Sequence, residues 1–205
     1  GHPVWWGWPT LAGCNLRFEF KFAGLGQGFS RMDESWLRDL QRVGGSRRAL
    51  LREQSMWAIA VYRFGRRVDA MPNGTAKRLK LKMYWAMQRV VETATGIGLP
   101  KEADIGPGLR IWHFGGVFIH PKVVMGHGCT LRQGVTIGDK GDGGAVPRIG
   151  SHVEFGAYAQ VIGPVSVGDG ATIGAMAVVV KDVPAGATVV GNPARVVMKV
   201  KPETV

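Results

Sequence analysis

Three histidines at a spacing of seven, His113, His120 and His127, with His152 further along, are the side chains of this chain best suited to chemistry. A neutral imidazole titrates near working pH, so one alone can take a proton from a hydroxyl group and later return it. Several together can ligate a metal ion. His113 has the most suggestive setting: Trp112 and Phe114 flank it, and Gly115-Gly116 follow, where a substrate can approach the backbone closely. Cations suited to phosphate lie downstream, Lys140 in the glycine-rich run Gly138–Gly144, then Lys181 and Arg195. Singly each reads as a solvated surface charge, and as a set they suit a phosphate site. Gly156-Ala157 and Gly174-Ala175 recur eighteen residues apart.

The elements that must position these residues are repeats of six. Counting from Ile105 reaches Ile111, Val117, Val123, Cys129 and Val135, and counting from Ile149 reaches Phe155, Val161, Val167, Ile173 and Val179. All are apolar, and a fixed period of this kind dictates a stacked architecture. Six fits neither a helix period of 3.6 nor a strand period of 2. It fits a triangular coil in which each hexad forms one flat side and small residues turn the corners. Three hexads make a coil of about eighteen residues, so Ile105 is expected beneath Val123, Ile111 beneath Cys129 and Ile149 beneath Val167. Gly156-Ala157 and Gly174-Ala175 then stack into a shallow track of small side chains. Steps of seven walk the histidines around such a triangle, so they do not converge on a metal. The reading is a left-handed parallel β-helix preceded by a small α-helical region.

The run Ile105-Gly-Pro-Gly-Leu-Arg-Ile-Trp-His113-Phe-Gly-Gly-Val-Phe-Ile resembles the serine acetyltransferase family of hexapeptide-repeat acyltransferases. So do the break Thr136-Ile-Gly-Asp-Lys-Gly-Asp-Gly-Gly-Ala-Val-Pro-Arg148 and the closing Gly191-Asn-Pro-Ala-Arg195. The similarity runs from about Leu50 to Val197. It implies an acetyl-CoA-dependent enzyme, with the catalytic histidine at His113 and direct transfer to a hydroxyl without an acyl-enzyme. It also implies a homotrimer or dimer of trimers, with the coenzyme A groove between neighbouring subunits. On that basis Gly138, Lys140, Gly156, Ala157, Gly174, Ala175, Lys181 and Arg195 are the coenzyme-binding candidates, and Trp112 and Phe114 the acceptor-binding candidates. The γ-class carbonic anhydrases share the fold with three histidine ligands, but their spacing is not matched by any set that includes His152. A metal enzyme or non-catalytic scaffold is the outside alternative, and no metal is expected.

The chain departs from the family at the acceptor. Where serine acetyltransferases carry an Asp immediately before the catalytic His, Trp112 stands; a further Asp aligns with Gly98, and a second His in the loop aligns with Val146. These groups orient the imidazole or hold the zwitterionic amino acid, and a charge buried without a partner is costly. The family's tail beyond the helix is not expected here either. A sugar or other neutral hydroxyl compound is therefore the expected acceptor, with L-serine as the alternative. Trp112 suits stacking on a sugar face or packing at a trimer interface. Glu102, Asp104 or a backbone carbonyl could orient His113.

Four sections are expected: an N-terminal extension over 1–31, either non-native or a docking arm; helices over 32–96; the β-helix over 97–198 with its loop at 138–147; and a tail over 199–205. Met32-Asp-Glu-Ser reads as a helix start. Trp36, Leu37, Leu40 and Val43 form a first apolar stripe, Leu50 to Phe64 supply a second segment, and Leu79, Leu81, Met83, Trp85, Met87, Val90 and Val91 lie on a last helix. The 205 residues are 45% hydrophobic, enough for one sizeable core, and 31 glycines fit the repeat corners. Two cysteines, Cys14 and Cys129, make no disulfide framework, and nothing resembles a membrane span or signal, so a cytoplasmic location is expected. The net charge of +11 lies largely on the helices, at Arg47, Arg48, Arg52, Arg63, Arg66, Arg67, Lys77, Arg78, Lys80 and Lys82. No nucleic-acid motif accompanies it. The charge fits a solvated face, or peripheral attachment to an anionic membrane that carries a lipid-linked saccharide.

Overall fold

The computed structural model describes residues 27–45, 52–141 and 143–198. Gly1-His2, Trp5, Trp6, Trp8, Cys14, Arg47, Arg48, Leu50 and Leu51 lie outside them, as does the tail from 199. Among the described residues, the helices that come first are α1 Gln27–Gln41, α2 Ser55–Asp69 and α3 Thr75–Thr95. The first already runs through Met32, so the Asp-Glu-Ser that reads as a start lies inside it; such residues suit an exposed helix face as well as a first turn.

Among the described residues, fourteen short parallel strands then wind into three sheets that form the sides of a left-handed parallel β-helix. The first side stacks β1 Ile97–Gly98, β4 Val117–Ile119, β7 Thr136–Gly138, β10 Gln160–Ile162 and β13 Val178–Val179. The second stacks β2 Asp104–Ile105, β5 Val124–Met125, β8 Arg148–Ile149 and β11 Ser166–Val167. The third stacks β3 Arg110–Trp112, β6 Thr130–Arg132, β9 Glu154–Phe155, β12 Thr172–Ile173 and β14 Thr188–Val190, and β15 Arg195–Met198 closes it antiparallel.

Ile149 stacks on Val167 as the repeat requires, but Ile105 pairs with Met125 and Ile111 with Leu131, not with Val123 and Cys129. The first coil carries two extra residues at one corner, so a count of six slips there. Val117, Val123, Cys129 and Val135 are nonetheless buried, because each side has a second inward position, four residues after the first or, past the two extra residues, six after Ile111. Val153, Ala159, Val165, Ala171 and Ala177 occupy that position in the later coils. Both inward rows feed one continuous core.

The helices are stapled to the first coil by buried polar groups. Arg63 on α2 forms a two-pronged pair with Asp39 on α1, at 2.7 and 3.2 Å, and donates to the carbonyls of Ile105 and Gly106, both at 2.7 Å. Asp39 also accepts from the Leu109 amide at 2.8 Å. Burial pushes the Asp39 carboxyl above its ordinary range, opposed by Arg63 and by the amides of Leu109 and Gly108. The Tyr62 hydroxyl donates to Ala103 O and accepts from Ile105 N, and Arg110 on β3 pairs with Glu53.

Exposure on the helices departs from the expected stripes. Leu40 is buried, but Leu37 is exposed. On α3 the core face is Tyr84, Gln88 and Thr95, while Leu79, Met83, Met87 and Val90 form an exposed row on the opposite side. The apolar residues of this helix run round more than one face, so sequence spacing alone does not pick the buried one. Gly96 ends α3 in the left-handed region, with φ 64°. A Cβ there would stand 3.1 Å from Gly115 Cα and Gly116 N, so the helix end presses on the corner that carries His113. Among the described residues, no helix is long and apolar enough to cross a membrane.

Candidate functional site

The two extra residues of the first coil mark the candidate site. Trp112 pairs with Arg132 at a spacing of twenty, yet Gly116 stacks on Gly134 at a spacing of eighteen, with the Gly134 amide donating to Gly115 O. His113 and Phe114 fall in the surplus and bulge from the corner, both exposed. The backbone of His113 sits at φ 67°. His152, Tyr158 and Met176 share that region, so a positive φ belongs to the corners of this coil generally.

Among the described residues the His113 imidazole makes no hydrogen bond. The carboxylates expected to orient it are engaged elsewhere: Glu102 pairs with Lys101 at 3.1 Å and Asp104 with Arg66 at 2.9 Å. Trp112 is 46% exposed, and the Arg110 guanidinium lies 4.2 Å from its ring centroid. One face of the indole is therefore covered, leaving the other for packing or for a ligand.

The register carries Trp112 into a column that continues through Arg132, Gly156 and Gly174 to Val190. A Cβ on Gly156 would stand 2.4 Å from Ala175 N, so only glycine permits this stacking. At about 4.8 Å per coil, Gly174 lies roughly 14 Å from Trp112, a narrow strip long enough for an extended thioester arm. Two residues beside it escape a sequence reading. Arg132 is an exposed cation between Trp112 and Gly156, and Gln133 Oε1 is buried without a partner. Their signal lies only in the strand register.

The remaining cations divide between corners. Lys140 and Lys181 stand at the corner between the first and second sides. There the Lys140 chain covers Gly163, whose amide bonds Gly138 O, and Lys181 shares its register. Gly156, Ala157, Gly174 and Ala175 stand at the corner between the third and first sides, and Arg195 joins them through its pairing with Val190. One chain therefore does not gather the eight coenzyme candidates into one cluster, and sheet one separates the two groups.

The other histidines are occupied. His120 Nδ1 accepts from the Lys122 amide at 3.1 Å. His127 meets the Ser151 hydroxyl at 2.9 Å and packs edge-on against His152, with centroids 4.6 Å apart. Among the described residues, no three His, Cys, Asp or Glu side chains are grouped to hold a metal. Buried Cys129 lies 3.3 Å from Gly150 O, and burial pushes its thiol up to about 11, against opposing hydrogen bonds from the Val153 and His152 backbone.

Residues 147–181 match the family model described as bacterial transferase hexapeptide (six repeats). The chain is 40% identical over 116 residues to the serine acetyltransferase of Helicobacter pylori, covering 56% of this chain and 68% of that one. Several other relatives are longer, and the chain spans less than half of each. Soybean serine acetyltransferase complexed with serine superposes with a TM-score of 0.71 at 26% identity, covering 82% of this chain and 70% of the other. A serine acetyltransferase in complex with CoA gives 0.69 at 26% identity, covering 83% and 72%. Coil, enlarged histidine corner and matches together define an enzyme of the hexapeptide-repeat acyltransferase class. Within that class, the chain belongs to the serine acetyltransferase family.

Proposed function

We propose that the chain transfers an acetyl group from acetyl-CoA to a hydroxyl group, with His113 as general base. The observation that carries this is the enlarged corner: it projects an imidazole that makes no hydrogen bond among the described residues, at the head of the small-residue column. The acceptor oxygen attacks the thioester carbonyl while His113 takes its proton; the carbon–sulfur bond then breaks, and the imidazolium protonates the departing thiolate. The Trp112–Gly174 column holds the pantetheine arm, and Arg132, Arg195, Lys140 and Lys181 meet its phosphates. Because the last two stand at another corner, the groove is completed by a neighbouring subunit, and the working unit is a trimer or a multiple of three. Light scattering tests this, and an active monomer would contradict it.

L-serine is the acceptor that the comparisons favour, since the relatives are named for it and a soybean relative was solved with serine. They back serine better than the neutral compound expected from the sequence. A neutral, hydroxyl-rich acceptor is the second reading, favoured by one observation. Trp112 is flanked by a guanidinium, and among the described residues no carboxylate bonds His113, so serine's ammonium finds no partner there at that imidazole. Release of free thiol from acetyl-CoA, followed with L-serine and with neutral sugars in parallel, decides between them. Efficient serine turnover with no sugar turnover sinks the second reading, and the reverse sinks the first. On α3, the exposed row Leu79, Met83, Met87 and Val90, edged by Arg78, Lys80, Lys82 and Arg89, supports peripheral attachment to an anionic membrane. Failure to co-sediment with phosphatidylserine vesicles at low salt would exclude it.

A further inference from the structure

Between α3 and the outer face of the first sheet lies a cleft of about 240 Å³ that the reaction as described does not use. Its walls include Tyr84, Trp85, Gln88, Glu92, Phe118 and Pro121. Trp85 and Phe118 are 55% and 52% exposed and present aromatic surface to the cleft. Gln88 is only 9% exposed, lines the cleft, and makes no hydrogen bond among the described residues. Its carboxamide can donate and accept hydrogen bonds across the cleft. Glu92 Oε1 lies 3.4 Å from where a Cβ on Gly98 would stand, which places its carboxylate over the cleft floor.

The cleft adjoins the His113 corner. Its floor is Gly98 on β1 paired with Phe118 on β4, and β4 begins one residue after Gly116. Gly96, two residues before Gly98, touches both Gly115 and Gly116. A ligand seated here therefore lies on the sheet that begins at that corner.

The chemistry of the walls selects the ligand. Aromatic faces accept the C–H faces of a pyranose ring, and an amide with a carboxylate can bind neighbouring hydroxyls. Nothing in the cleft suits an amino-acid carboxylate. The nearby Lys101 ammonium is held by Asp69 at 2.8 Å and Glu102 at 3.1 Å, and Glu92 would repel an anion. We infer that this cleft is an acceptor subsite that holds one sugar unit of a neutral saccharide while an adjoining unit presents its hydroxyl to His113. The inference rests on the second acceptor reading above.

Calorimetry on the full chain carrying His113→Ala separates binding from turnover. The probes are neutral trisaccharides of glucose, galactose, mannose and N-acetylglucosamine. At least one should bind, and Trp85→Ala and Gln88→Leu should each weaken it about tenfold or more. Trp85→Phe should retain most of the affinity, and the affinity for coenzyme A should stay unchanged in all three. Absence of binding tighter than about 10 mM across the panel overturns the subsite, as does binding indifferent to both substitutions. Binding that depends on Trp85, with no acetylation of the same sugar by the parent enzyme, overturns the acceptor role and leaves the cleft as a saccharide-binding site alone. Acetylation of a saccharide whose KM ignores Trp85 and Gln88 does the opposite.

Discussion

Replacing Arg63 with methionine keeps a long side chain and removes the guanidinium that ties α1, α2 and the first coil together. Four bonds disappear at once: two to Asp39 and one each to the carbonyls of Ile105 and Gly106. Asp39, fully buried, then keeps only backbone amides, those of Leu109 and Gly108, to face its carboxylate. Breaking a buried pair by removing one partner costs about 3–5 kcal/mol, because the other charge is left uncompensated. For a chain of this size that is a fall in Tm of roughly 6–20 °C. The loss should also depend on pH. Burial already pushes the Asp39 carboxyl up, and Arg63 is the main group holding it down. Without Arg63 the folded value rises further above the unfolded one. An acid with a raised folded value is most stabilising while protonated and loses that contribution as pH rises through the folded value. The deficit of the variant is therefore expected to be larger at pH 8 than at pH 5. Urea titrations at both values, followed by far-ultraviolet circular dichroism, measure it. A loss below about 1 kcal/mol, or one equal at the two pH values, would refute the ion-pair account and leave only lost packing.

His113→Ala should lower turnover about 10²–10⁴-fold while coenzyme A still binds, measured by thiol release and calorimetry; near-full activity would remove the base assignment. Gly156→Ala should destabilise the coil by about 1–3 kcal/mol, because its Cβ would meet Ala175 N at 2.4 Å. In urea titrations of both variants, Gly138→Ala, whose nearest neighbour would be His120 Cβ at 3.7 Å, should be nearly silent. In a Cys14→Ser background, Cys129 should react with a maleimide at pH 8 about a hundredfold more slowly than an ordinary thiol, since its value near 11 leaves little thiolate. Labelling at the rate of a free cysteine would show that the core opens readily.

The repeats from Ile149 onward are readable because inward residues return every six positions and nothing interrupts them. The earlier run is readable as a repeat but not in register. After His113-Phe114 the count passes from the first inward row to the second, and both rows are apolar, so hydropathy gives no warning. His113 and the paired Gly-Ala steps carry local signals, an imidazole beside glycines and small residues at a coil's spacing. Arg132 and Gln133 carry none, since they join the site only when twenty residues separate stacked strands. Gln88 and Glu92 look like ordinary polar positions on a helix, and only the packing of α3 against β1 turns them toward a cleft. Exposure of Leu79, Met83 and Val90 was equally hidden, because a helix with apolar residues on several faces does not announce which one meets the core.

Successive coils are spaced by twenty, eighteen, twenty-four and sixteen residues at different points, yet the stacked inward rows never lose alignment. Each change in length is absorbed at a corner. Two residues are added at His113-Phe114 and six in the 138–147 loop, and two are missing between Val179 and Val183. Where residues are missing, the Asp182 carboxylate takes the bond from the Ser166 amide. The folding instructions are thus written on the flat sides and the chemistry at the vertices, so the two can vary independently. A new acceptor preference can be installed by lengthening or shortening a vertex while the hydrophobic ladder, and the stability it confers, goes untouched.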